Sequence, residues 1–241
     1  MIQIENLTKS YDGLLAVKGL NLQIGRGEFF AFLGPNGAGK TTTIKMLAGL
    51  LRPSDGRALI GGHDIQLEPV LAKRLIGYIP DVPYLYEKLT GREFFHFVGD
   101  LFHIPRPRQE EQLKFFFDYF NLTEQADTLI ENYSHGMRQK LTFSTALMHD
   151  PQVIIVDEPM VGLDPRSSRK VKDLLRERCR QGATVFLSTH TLSVAEELAG
   201  RIGIINHGEL IFLGGIAELR ARVQRDGNLE ELFLKLTEED E

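Results

Sequence analysis

Short apolar or alternating runs fill the first third of the chain: Ile2 to Asn6, Ala16 to Ile24, Glu28 to Leu33 and Arg57 to Ile60. Asp12-Gly13, Gly25-Arg26-Gly27 and Pro53-Ser54-Asp55-Gly56 separate them. Period-two patterning bounded by such residues predicts strands joined by turns. Leu75 to Pro80 predicts a further strand. From Asp81 to Asp150 the period lengthens to that of helices, interrupted at Pro105 and Pro107, with apolar positions such as Leu113, Phe116, Phe117 and Phe120. Strand patterns return at Val153 to Asp157, Thr184 to Ser188, Arg201 to Ile205 and Glu209 to Leu213, with helices Ser168 to Gln181 and Leu192 to Leu198 between them. Strands alternating with connecting helices predict an α/β fold with a largely parallel sheet and ligands at the carboxyl ends of its strands. From Asn228 to Glu241 the sequence is acidic, and Leu229, Leu232, Phe233 and Leu236 at helical spacing predict a docked amphipathic helix.

Composition narrows this picture. A chain of 241 residues, 42% hydrophobic and 25% charged, is long enough for one large domain or two coupled subdomains. Every apolar run is strand-length, so none predicts a membrane span. Met1-Ile2-Gln3-Ile4-Glu5 lacks the basic start and apolar run of a secretion signal, which predicts a reducing, cytoplasmic setting. Cys179 is the one cysteine, leaving no intramolecular disulfide and no cysteine-based metal site. A formal net charge of −5 gives no global attraction to nucleic acid, and no nucleic-acid partner is expected.

The chemistry concentrates in two segments. Gly34-Pro35-Asn36-Gly37-Ala38-Gly39-Lys40-Thr41 lies between the apolar run Phe29 to Leu33 and a helix predicted over Lys40 to Leu50. This is a phosphate-binding loop by pattern and context: its glycines turn backbone N–H groups inward, and the helix aims its positive end at the same anion. Lys40 would reach the β- and γ-phosphates, and the Thr41 hydroxyl would ligate Mg²⁺. Val153-Ile154-Ile155-Val156-Asp157-Glu158-Pro159 is a strand ending in two carboxylates. Adjacent strand residues face opposite ways, so Asp157 is free to hold Mg²⁺ while Glu158 polarises an attacking water.

With both segments in order, the chain resembles the nucleotide-binding subunit of an ATP-binding cassette transporter, from about Ile2 to Leu213. The resemblance implies a P-loop NTPase with a RecA-like sheet, an N-terminal antiparallel β subdomain and an inserted α-helical subdomain. It divides the single domain 1–241 into a nucleotide-binding core at 1–80 and 151–213, a helical part at 81–150 and a helical tail at 214–241. It also implies ATP and Mg²⁺ as ligands, with Thr42 completing the phosphate loop and Tyr11 stacking on adenine. Ser134-His135-Gly136-Met137-Arg138-Gln139 aligns with the family signature, in which Ser134 and Gly136 would bond the γ-phosphate of ATP held by an opposite subunit. Asp164, in Met160-Val161-Gly162-Leu163-Asp164-Pro165, would communicate across that dimer, and His190 would be the switch histidine at the γ-phosphate. Homodimer and heterodimer both fit one chain.

Three positions depart from the family pattern, and one of them, Met137, stands where a glutamine is usual. His135 stands where a glycine is usual, and it is expected to fold away and leave the donors of Ser134 and Gly136 in place. Asp81 replaces a glutamine that links Mg²⁺ and water to the membrane partner; it retains an acceptor and gains a charge. Eight of the fifteen phenylalanines lie between Asp81 and Phe120, most of them explained as packing in a helical subdomain. Tyr84, Leu85, Tyr86 and Leu89 would be costly to leave wet, and the resemblance implies a groove here for a cytoplasmic helix of a membrane-spanning subunit. The expected role is therefore an ATPase at the cytoplasmic face of a membrane, more like the exporters of drug and antibiotic resistance than like importers. A soluble cassette ATPase acting on nucleic acid or the ribosome would be expected to bring a second cassette, long coiled coil or zinc elements. A non-hydrolysing regulatory subunit would lack Glu158 or His190. A GTPase would carry an Asn-Lys-x-Asp guanine-reading motif.

Overall fold

The computed structural model describes residues 1–160 and 162–223. The strand-rich first third forms an antiparallel sheet of order β2-β1-β4-β5, from β1 (Ile2–Tyr11), β2 (Leu14–Ile24), β4 (Asp55–Ile60) and β5 (His63–Asp64). β1 continues five residues beyond its predicted end, to Tyr11, because its pairing with β2 absorbs register shifts after Ile4 and a left-handed Asn6. Two elements escape the sequence pattern, β5 and the six-residue α2 (Pro69–Arg74); both are too short to show a period.

The second sheet comprises β3 (Phe29–Leu33), β6 (Ile76–Ile79), β7 (Val153–Asp157), β8 (Thr184–Thr189), β9 (Arg201–Asn206) and β10 (Glu209–Gly215), in the order β10-β9-β3-β8-β7-β6. Every neighbour pair is parallel except β9 with β10. β3, β7 and β8 are buried along their whole length, which explains their unbroken apolar sequences. Alternate residues feed opposite cores. Phe30, Phe32, Val153, Ile155 and Phe186 pack with the antiparallel sheet and with α1 (Lys40–Leu47), whereas Ala31, Leu33, Ile154, Val156 and Leu187 join the core beneath the helices. α1 stops at Leu47, short of the expected Leu50, because Gly49 turns left-handed just beyond it.

Between β6 and β7 lie α3 (Gly91–Leu101), α4 (Arg106–Phe120) and α5 (His135–Leu147). Thr90 and Glu93 form a reciprocal capping box at the start of α3. Pro105 and Pro107 sit at the entrance of α4, where a missing N–H costs nothing. Phe116, Phe117 and Phe120 are buried in the shared core, as their spacing predicts. Asp150, just before β7, accepts from Arg108 of α4 at 2.5 Å and from Arg178 at 2.7 Å, the latter on α6 (Pro165–Arg180). α7 (Leu192–Leu198) and α8 (Ile216–Val223) complete the described chain. The predicted amphipathic helix over Asn228 to Glu241 lies outside the described residues.

Candidate nucleotide site

The phosphate loop leaves the end of β3 and enters α1 at Gly39, whose φ of 109° and position 2.4 Å, at a notional Cβ, from the Ala16 carbonyl admit no side chain. Ala38 N–H donates to the Pro35 carbonyl at 3.2 Å and closes the turn; Asn36 and Gly37 are exposed at its tip. Lys40 is only 6% exposed, donating to the carbonyls of Gly34 at 2.7 Å and Pro35 at 3.1 Å. Burial lowers its pKa, while the charges of Glu158 and Asp157 oppose the shift. Thr41 and Thr42 follow in the first turn, half-buried. Tyr11 ends β1 on the hairpin that also carries Ala16; its ring is exposed, with Lys9 Nζ 5.2 Å from the ring centre.

The β7 carboxylates part as strand geometry demands. Asp157 is fully buried and accepts from the Ser188 hydroxyl, its register partner on β8. Its other oxygen, Oδ2, is buried without a hydrogen-bond partner. Burial raises the Asp157 pKa; the Ser188 and Thr41 hydroxyls and Lys40 oppose this, and the Asp81 charge adds to it. An orphaned carboxylate oxygen near a hydroxyl is a donor set suited to a hard cation. Among the described residues no group of three or more His, Cys, Asp and Glu could hold a metal, so any ion there must take further ligands from phosphate or water. Glu158 points elsewhere: its Oε1 lies 3.0 Å from His190 Nδ1 and 3.8 Å from Lys40 Nζ. Its φ of 46° is unfavourable for a residue with a side chain, a strain typical of functional positions.

Other expected residues lie apart from this cluster. Ser134 caps α5 by accepting from Met137 N–H at 3.3 Å, and Gly136 is in the first turn. Among the described residues no hydrogen bond joins either to the phosphate loop. Asp164 caps α6, accepting from Arg166 and Ser167 N–H at 3.0 Å each. Asp81 is exposed and accepts from Val82 N–H at 2.8 Å. Ser188, which orients the buried carboxylate, went unnoticed in the sequence as a site residue; only strand register identifies it.

Beside β6 is an apolar groove of about 430 Å³, walled by Leu50, Tyr78, Leu85, Phe94, Phe102 and His149 among others. Tyr84 and Tyr86 at its margin are 83% and 60% exposed, so they do stay wet. Tyr86 nevertheless packs against Phe94 and Phe97, with ring centres 5.9 and 5.4 Å away. His149 stacks on Phe102 at 3.9 Å, its Nε2 3.1 Å from the Ile76 carbonyl, and burial pushes its pKa down to about 4.

A phosphate loop after β3 and a split carboxylate pair at the end of β7, parallel strands with β8 between them, define a P-loop ATPase. The model of the ABC transporter family matches residues 17–161, and the chain belongs to that family as an ATP-binding subunit that hydrolyses ATP. It is 38% identical over 226 residues to the linearmycin resistance ATP-binding protein LnrL of Bacillus subtilis (strain 168), covering 94% of this chain and 73% of that one. With the daunorubicin/doxorubicin resistance ATP-binding protein DrrA of Streptomyces peucetius it shares 40% over 220 residues, 91% of this chain and 67% of that one. A solved ATP binding subunit of an ABC transporter superposes with a TM-score of 0.92 at 30% identity, over 99% of this chain and 100% of the other. A dimeric post-hydrolysis structure of the ATP-binding cassette MJ0796 with ADP and Pi gives 0.82 at 26%, over 90% and 99%. Among the described residues no helix is long and apolar enough to cross a membrane.

Proposed function

We propose that this subunit powers export through a separate membrane-spanning partner, working as a dimer at the cytoplasmic face. The observation that carries the reading is the meeting of Lys40, Glu158 and His190 at the strand ends while Ser134 and Gly136 stand away from them, a half-site that a second subunit completes. Lys40 binds the β- and γ-phosphates, and backbone N–H groups from Gly34 to Thr42 cradle them. Tyr11 supports the adenine. Thr41 and Asp157, with Asp81 nearby, would hold Mg²⁺, which supplies charge neutralisation at the phosphates. Glu158 accepts a proton from the attacking water; His190 orients that carboxylate and faces the γ-phosphate. Ser134 and Gly136 donate to the γ-phosphate of the opposing subunit's ATP, and Asp164 lies along the same interface. Loss of that phosphate releases the charge-assisted bonds and opens the dimer. Export is favoured because LnrL and DrrA are named for drug resistance.

The apolar groove suits an amphipathic helix of the membrane partner. The test is recovery of tagged protein from native membranes in mild detergent, with ATPase activity measured in the same sample, for the wild type and for Leu85→Arg. A multi-span membrane protein with coupled activity, lost in the variant while the isolated subunit still hydrolyses ATP, is the expected outcome. Recovery of soluble partners alone would overturn the transport reading.

A further inference from the structure

The turn that follows Glu158 meets the start of α5 through His135, a residue that departs from the family pattern. A Cβ built on Gly162 would lie 2.2 Å from His135 Cδ2 and 2.6 Å from its Nε2, so the imidazole packs directly on the Gly162 backbone. Gly162 has a φ of +76°, a conformation glycine adopts freely, and the ring fills the volume a side chain would need. The contact extends along the helix. A Cβ on Gly136 would stand 3.7 Å from the Gly162 carbonyl oxygen and 3.9 Å from Leu163 Cδ2. The Ser167 hydrogen bonds, with that of Arg166, hold the Asp164 carboxyl below its ordinary range, and the charge of Lys140, one turn further along α5, adds to this. One face of α5 therefore runs beside the loop from Gly162 to Asp164. Glu158 lies four residues before Gly162, and its left-handed backbone keeps its shape only if its surroundings hold it.

We propose that His135 is a positioning residue for hydrolysis: its ring locks the Gly162 turn to the Ser134–Gly136 helix start, so that phosphate engaged at that start is registered at the Glu158 carboxylate. This rests on the reading of Ser134 and Gly136 as phosphate donors; the packing on Gly162 does not. The test is steady-state ATPase and ATP-driven dimerisation of the full chain carrying His135→Ala, His135→Phe, Gly162→Ala, the double variant His135→Ala/Gly162→Ala, and Ser134→Ala.

The expected result is a kcat lower by about 10- to 100-fold in His135→Ala with KM for ATP little changed, the loss typical of a misplaced reacting group. His135→Phe, which restores a packed ring, recovers most of the rate. Gly162→Ala is more damaged than the double variant, because removing the imidazole relieves the clash. Wild-type kcat in His135→Ala, or additivity in the double variant, would overturn the proposal. So would a His135→Phe rate as low as that of His135→Ala, since the ring nitrogens rather than packing would then matter. Unchanged KM and dimerisation in Ser134→Ala would instead remove the phosphate-donor reading, leaving the His135–Gly162 coupling to be judged by the double variant.

Discussion

The nucleotide site and the groove are built on opposite terms. At the strand ends, Lys40 and Asp157 are buried polar groups, and the parallel register of β7 and β8 sets Asp157 opposite Ser188. In the groove the walls are mostly aromatic and aliphatic side chains drawn from β6, from helices and from the connections between them, and Tyr84 and Tyr86 stand in solvent. Reaction chemistry needs groups fixed to fractions of an ångström, which buried strands provide; docking needs apolar area that is left uncovered. Backbone register carries the first and side-chain surface the second.

The sharpest way to break this contrast is Glu158→Gln. It should abolish turnover by about a thousandfold or more while ATP binding persists and the nucleotide-bound dimer accumulates, as read by single-turnover kinetics and sizing in ATP. Normal steady-state turnover would remove Glu158 from its role. Lys40→Ala should act one step earlier, weakening ATP binding by about 10- to 100-fold in a titration with a fluorescent ATP analogue, because a charge-assisted phosphate contact is lost.

On the groove side the largest stability effect comes from His149. Its folded pKa of about 4 lies below the 6.5 of an unperturbed histidine. As pH falls through 6.5 the unfolded chain takes up the proton first. Stability from this group is complete above pH 6.5 and is lost progressively down to pH 4, by up to about 3 kcal/mol. His149→Gln should flatten the dependence of the urea midpoint on pH in that window; an unchanged slope would place the proton uptake elsewhere. Thr90→Ala is the mildest change. Loss of the α3 capping box should cost about 1 kcal/mol in urea unfolding with little effect on ATP binding.

Sequence pattern reached the two regions unequally. The phosphate loop and the strand ending in Asp157-Glu158 are local words, legible because every part of each is contiguous. Ser188 belongs to the same site yet carries no local mark, since its role exists only through pairing with Asp157. Phe102 and His149 wall the groove together although nearly fifty positions separate them along the chain, and no periodicity announces that meeting. The left-handed Glu158 was likewise invisible, because a non-glycine residue there is dictated by its surroundings and not by propensity. The strands of the sheet were readable from their apolar runs, whereas β5 and α2 were too short to declare a period.

The helices between β6 and β7 have one more consequence. These two strands are parallel neighbours, and parallel neighbours cannot be joined by a tight turn; the chain must travel back the length of the strand, through a dozen residues or more. The helical segment is that return path, enlarged. It is not an ornament hung on a finished sheet, and cutting it out would sever the strand that carries Asp157 from its neighbour. A lineage could rewrite the groove side chains freely, or trim the segment to a minimal bridge, but it could not discard the passage itself without losing the motor.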